Sequence, residues 1–161
     1  MKELRGHNAL VTGASGGIGT HIARALAGQG MNVVASGRRE DALTALVDEL
    51  RGQGVQAQAV PADLSDLGQV DPLIERSEEV LGPIDVLINN AGVELTAAFT
   101  RATRDELTSM VDLNLTVPML LTHRVVPGML ERGRGHVVFI SSMAGRSDRP
   151  TPSPTPPPRL A

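Results

Sequence analysis

The chain has 161 residues, 41% hydrophobic and 20% charged, with a formal net charge of −3, enough for one α/β domain and too few for two of ordinary size. Mild acidity gives no attraction to nucleic acid or to an anionic membrane. The absence of cysteine excludes disulfides, thiolate metal sites and cysteine nucleophiles together, and the four histidines are too scattered to pair as ligands, so no metal is expected.

No apolar run reaches membrane-spanning length, and residues 1–7 lack the apolar core of a signal peptide; a soluble cytoplasmic protein is the expectation. The run Ala9, Leu10, Val11 leads into Thr12-Gly13-Ala14-Ser15-Gly16-Gly17-Ile18-Gly19, and Ile18, Ile22 and Leu26 then recur every fourth residue. This pattern predicts strand, tight glycine turn and helix. Such a turn suits a nucleotide: Gly13, Gly17 and Gly19 carry no Cβ, so the backbone can bend sharply, a pyrophosphate can come close, and the helix can pack on its strand. The free N–H groups and positive dipole end of the helix then face the phosphates.

Gly28 and Gly30 end this helix, and residues 32–36 are a β-branched run suited to a buried parallel strand. Residues 40–53 carry an apolar stripe of Leu43, Leu46, Val47 and Leu50 behind an acidic first turn, which predicts a second helix. Residues 55–60 predict a third strand that exits through Asp63 and Leu64. Ser65 or Asp66 then caps a third helix, with Leu67, Val70, Leu73, Ile74 and Leu81 facing inward and Gly82-Pro83 ending it. Residues 85–89 are the fourth strand, followed by Asn90-Ala91-Gly92. Beyond a connection containing Phe99, a long helical segment runs from about residue 103 to 130. Pro118 predicts a bend in it, and Pro127 an end by Arg132. Residues 136–141 are the fifth strand.

This alternation predicts an α/β, Rossmann-like, doubly wound parallel sheet with helices on both faces. Residues 1–145 form the nucleotide-binding domain. From Arg146 the composition changes, and six of the eleven prolines fall between Pro150 and Pro158; residues 146–161 read as an extended or disordered tail. The spacing of Pro154 and Pro157 matches a PxxP ligand, but a solvated tail explains it more simply.

Taken in order, residues 12–19, Asp63, Asn89-Asn90-Ala91-Gly92, Asn114 and Ser141-Ser142 make the stretch from about residue 7 to 145 resemble the short-chain dehydrogenase/reductase family. The resemblance implies hydride transfer between a nicotinamide cofactor and a small-molecule carbonyl or alcohol substrate. It implies a homodimer or homotetramer, with no nucleic acid and no membrane as partner. By this resemblance Thr12, Gly13, Ser15, Gly17, Ile18 and Gly19 form the phosphate turn. Asp63 accepts a hydrogen bond from the adenine amino group with Leu64 beside the ring, though a helix-entry acid would look the same. Asn89, Asn90, Ala91 and Gly92 line the ribose while tying the central strands together, Asn114 holds an active-site water, and Ser142 bonds the substrate oxygen.

Cofactor choice reads from the end of the second strand, where NAD enzymes usually place a carboxylate for the ribose 2′-OH. Here Gly37 stands there, followed by Arg38 and Arg39. A guanidinium pairs bidentately with a 2′-phosphate, so NADP is favoured over the alternative NAD, with Arg38 the better placed of the two. Glu40 and Asp41 need no ligand, because acids in a first helical turn meet the dipole.

The family's proton transfer uses a Tyr-x-x-x-Lys pair beginning about a dozen residues after the Ser. This chain contains no Tyr, and its only Lys is Lys2. Thr155 is too weak an acid to replace the phenol, and nothing positions Asp148 for the task. Turnover is therefore expected to be impaired, the alternative being a non-catalytic NADP-binding module or partner subunit. The break near Arg146 reads as a truncation or a change of reading frame. It predicts a sheet incomplete at its C-terminal end, an open apolar edge at residues 137–141 and an uncovered face on the long helix.

Overall fold

Short β-branched runs pair here in parallel, which requires crossover helices between them. A computed structural model describes residues 4–95 and 98–142. Its strands β1 (Asn8–Val11), β2 (Asn32–Ala35), β3 (Ala57–Ala59), β4 (Val86–Asn89) and β5 (His136–Phe139) form one sheet in the order β3-β2-β1-β4-β5, every neighbour parallel. The chain winds outward from β1 to β3 and then returns to β4 on the other side of β1. The expected doubly wound sheet is therefore present, with its topological switch point between β1 and β4.

Period-two alternation divides the strands between two cores. Ala9, Val11, Val33, Ala35, Val86 and Ile88 face helices α1 (Gly17–Gly28) and α2 (Glu40–Arg51), which contribute Ala23, Ala27, Leu43, Leu46, Val47 and Leu50. Leu10, Val34 and Leu87 face the opposite layer of α3 (Val70–Leu81) and α5 (Val117–Glu131), which bring Leu73, Ile74, Leu121, Val125 and Met129. Leu10, Leu43, Leu50, Leu73, Leu87 and Leu121 are fully buried, each worth about 2 kcal/mol of apolar burial.

Several boundaries differ from the sequence expectation. Asp66 is a cap, but its Oδ1 accepts from Gly68 N at 2.9 Å and opens a 3₁₀ turn, Leu67–Gln69, so α3 begins only at Val70. Leu67 is left exposed rather than inward. Ser65 caps no helix: its N–H and hydroxyl both go to Asp63 Oδ1. Ile18 leaves the apolar stripe, being 65% exposed, whereas Ile22 and Leu26 pack on the core.

The long helical segment is in three parts. Helix α4 (Arg104–Val111) starts at a capping box in which Thr103 and Glu106 bond each other's backbone N–H. A π turn, Asp112–Thr116, joins it to α5. The disturbance expected at Pro118 thus falls one turn earlier, because Pro118 has no N–H to offer the carbonyl of Asn114. The helix ends at Glu131 with Arg132 as its C-cap, as expected, and Pro127 sits inside its closing turns; burial of Val125 and Met129 on either side offsets the one lost hydrogen bond.

At the amino ends of the strands, the buried Asp85 ties β1, β4 and β5 together. Its Oδ1 accepts from Arg134 Nε at 3.0 Å and its Oδ2 from Asn8 N at 3.2 Å, while its own carbonyl accepts from His136 N at 2.9 Å. β5 is the edge strand of the described sheet. Val138, Phe139 and Ile140 are 39%, 55% and 39% exposed, an apolar edge as expected, and Val111, Leu115, Met119 and Leu120 make a second exposed apolar stripe along α4, the π turn and α5. Replacing Asp85 by Ala should leave Asn8 N–H and Arg134 without their partner and cost about 2 kcal/mol. Urea unfolding checks this as a lower midpoint at unchanged slope; an unmoved midpoint would show that the clasp contributes nothing.

Candidate functional site

The carboxyl ends of β1, β2 and β4 open together into a cleft of about 420 Å³. Thr12, at the exit of β1, is only 1% exposed, and its hydroxyl donates to Ile88 O at 3.1 Å while accepting from Asn90 N at 3.0 Å and Ala91 N at 3.1 Å. Asn90 answers with its side-chain amide, which donates to Thr12 O and Gly13 O. The glycine turn and the Asn90-Ala91-Gly92 loop are thereby locked to each other across the switch point.

That lock leaves no room for side chains. Gly13 has φ +63°, a conformation L side chains rarely adopt, and a Cβ there would lie 2.9 Å from Ala91 Cα; one on Gly19 would lie 2.2 Å from Gly13 O. Gly17 differs, because a Cβ there would meet nothing within 4 Å. Its bare backbone faces open space at the start of α1, whose N-cap, Gly16, supplies no side-chain cap to the first turn. Uncapped N–H groups and the positive helix end therefore border a cleft that a diphosphate can enter. The residues present fit that group.

Ala14 N donates to Ser36 O at 2.8 Å, bringing the end of β2 beside the turn. Gly37 permits this closeness, since its Cβ would stand 2.8 Å from Ser15 Oγ. Arg38 and Arg39 follow, and the guanidinium of Arg39 donates to the carbonyl of Ser15. Asp63 lies across the cleft. Its carboxyl is held below the usual range by the hydroxyl and backbone N–H of Ser65, helped by the charge of Arg38. A depressed carboxyl keeps its contribution above the ordinary carboxylate pKa and loses it as pH falls through its lowered value, so Asp63 is an anion at neutral pH. Arg38, Arg39 and Asp63 are the only charged side chains on the cleft wall described, and no general acid or base titrating near neutrality joins them.

Of the positions named from sequence, Gly13, Ser15, Gly17, Ile18, Gly19, Arg38, Arg39, Asp63, Leu64, Asn90, Ala91 and Gly92 line this one cleft. Thr12 lies beneath it as a strut. Asn89 turns into the α5 layer, with its Nδ2 3.5 Å from Thr122 Oγ1. Asn114, inside the π turn, uses both ends of its amide on Val93: Nδ2 donates to Val93 O at 2.8 Å and Oδ1 accepts from Val93 N at 2.9 Å. Gly92 allows that approach, because its Cβ would be 2.9 Å from Asn114 Oδ1. Ser142 is exposed just beyond β5 and is not part of the cleft wall. Thr155, Asp148 and the whole proline tract fall outside the described residues. Gly16, Gly37, Ala62 and Leu113 also line the cleft, although the sequence assigns none of them a contact to the cofactor. Gly16 and Gly37 sit inside motifs already singled out, whereas Leu113 gives no signal apart from adjoining Asn114.

A parallel sheet in this order with a glycine turn at its switch point defines a Rossmann-type α/β protein. A family model described as short chain dehydrogenase matches residues 7–154, and the chain belongs to that family. It is 40% identical over 146 residues to the ketoacyl reductase HetN of Nostoc sp., covering 91% of this chain and 51% of that protein. Among solved structures it is similar to an actinorhodin polyketide ketoreductase variant with NADPH, at 37% identity and TM-score 0.82 over 89% of this chain and 56% of that one. It is also similar to a metagenomic short-chain oxidoreductase in complex with NADP, at 35% identity and TM-score 0.85 over 92% of this chain and 67% of that one. The chain thus spans about half the length of curated relatives that it matches.

Glycines that look alike in sequence should separate on substitution. Gly19→Ala forces a Cβ onto the carbonyl of Gly13 and should cost about 2 kcal/mol or more, whereas Gly17→Ala should leave stability within about 0.5 kcal/mol. Thermal unfolding of both variants measures the difference, and equal melting points would contradict it.

Proposed function

We propose that this chain binds NADP(H) in the cleft at the switch point, and that its own residues support little or no hydride-transfer turnover. One observation carries the cofactor assignment: where a carboxylate would bind a 2′-OH, the chain has Gly37 followed by two guanidinium groups on the cleft wall. A ribose 2′-phosphate is attracted there and no carboxylate stands at that position to repel it. The NADP- and NADPH-bound structures to which the chain is similar support the same reading.

When bound, the nicotinamide supplies or accepts the hydride for a small carbonyl or alcohol substrate. The first-turn N–H groups of α1 would hold the diphosphate, Arg38 the 2′-phosphate, Asp63 and Leu64 the adenine, and Asn90 to Gly92 the ribose. Asn114 holds the Gly92–Val93 backbone in place. Asn114 would also hold an active-site water, and Ser142 would bond the substrate oxygen. The remaining requirement is an acid matched to the proton transfer, and these 161 residues contain no Tyr and no Lys other than Lys2.

A non-catalytic role as an NADP-binding module or partner subunit is the second reading, favoured by a cleft wall whose charged side chains, among the described residues, are Arg38, Arg39 and Asp63. Titration of the purified protein with NADPH and NADH should show saturable binding, at least about tenfold tighter for NADPH. Arg38→Ala should remove most of that preference. Carbonyl reduction with NADPH should stay near background, and turnover at the rate of an ordinary reductase would overturn the catalytic half of the proposal. A folded protein that retains neither nucleotide would overturn the other half.

A further inference from the structure

The two arginines at the end of β2 are adjacent in sequence but stand in different situations. The Arg38 side chain has no hydrogen-bond partner among the described residues and meets its surroundings as a charge facing Asp63. Arg39, which is also the N-cap of α2, reaches across the cleft wall and donates through Nη2 to the carbonyl of Ser15. That carbonyl belongs to the glycine turn. Several of the turn's other polar groups are met within the turn and α1 or by neighbouring segments: Ala14 N by Ser36 O, Ala14 O and Gly16 O by the hydroxyl of Thr20, Gly13 O by the amide of Asn90, and Gly16 N by Gly13 O at 3.1 Å. The peptide between Ser15 and Gly16 is therefore held at both polar atoms, its N–H by Gly13 and its C=O by Arg39.

The orientation of this peptide sets the direction of the backbone entering α1, and with it the N–H groups that border the cleft. Three glycines around it, Gly13, Gly16 and Gly17, supply no side chain to restrain the turn and much freedom to lose. Gly37 adds the space that lets Ser15 come up against the end of β2.

From this geometry we infer that Arg39 is a positioning residue, a latch that pre-orders the phosphate turn through the Ser15 carbonyl, and that Arg38 alone discriminates the 2′-phosphate. The inference rests on the dinucleotide reading for its binding consequence but not for the latch itself. A latch on the turn affects every dinucleotide alike, because the diphosphate is common to NADP and NAD. A ligand of the 2′-phosphate affects only NADP.

The test compares Arg38→Ala, Arg39→Ala and Arg39→Lys in the full chain, using NADPH and NADH affinities together with amide hydrogen exchange of the nucleotide-free protein. Arg39→Ala should weaken both nucleotides by the same factor, about five- to tenfold, leave their ratio unchanged, and speed exchange at Gly16 by about tenfold. Arg39→Lys keeps a donor and should recover part of both effects. Arg38→Ala should collapse the ratio and leave exchange unchanged. A selective loss of NADPH affinity in Arg39→Ala would make Arg39 a phosphate ligand, and unchanged exchange at Gly16 would remove the latch; either overturns the inference. If the unaltered protein binds neither nucleotide, the dinucleotide reading fails, and the exchange comparison still decides the latch.

Discussion

The site depends on one buried hydroxyl. Thr12 Oγ1 sits between β1 and β4 and joins three backbone groups of the β4 exit to the start of the glycine turn. Side-chain to backbone bonds of this kind are strong when desolvated and costly to leave unmade. With Asn90 bonding back to Thr12 and Gly13, the two loops form one rigid rim. Only then do the missing Cβ atoms matter: Gly13 and Gly19 are needed because the rim is tight, whereas a Cβ on Gly17 would meet nothing within 4 Å.

The rest of the cleft is arranged around that rim. α1 presents an uncapped end, β2 brings its arginines alongside, and Asp63 is kept anionic by Ser65 at the far side. On the α5 side the π turn performs a comparable service. It inserts Asn114 where the amide can pair with the backbone of Val93 as a strand would, so the loop after β4 is fixed at both ends. π turns carry a cost relative to a regular helix and are frequent at functional sites; here Pro118 removes the competing bond. Asp85 ties β1, β4 and β5 at their opposite ends, so the two strands that flank the switch point, β1 and β4, are tied at top and bottom.

The cleft wall carries the glycine turn, two arginines and Asp63, and solved structures to which the chain is similar hold NADP or NADPH. These 161 residues contain no Tyr and no Lys other than Lys2. Among the described residues, an apolar stripe along α4, the π turn and α5 and the β5 edge are exposed.

The alternation of strand and helix, the two-sided sheet, the glycine turn and the arginines after β2 are all legible in the sequence. Each is a local pattern, a period or a residue type at a strand end, that needs no distant partner to be recognised. The sequence alone also establishes that no Tyr–Lys pair exists here. What the tertiary structure decides is which way individual side chains go. Thr12 turns under the rim because its partners lie 76 to 79 positions away along the chain. Ile18 turns outward, Asn114 gives its amide to Val93, and Leu113 and Ala62 reach the cleft. No spacing within one segment encodes these outcomes, because the choice between a core, a neighbouring backbone and an open cleft is made by whatever segment the fold brings opposite.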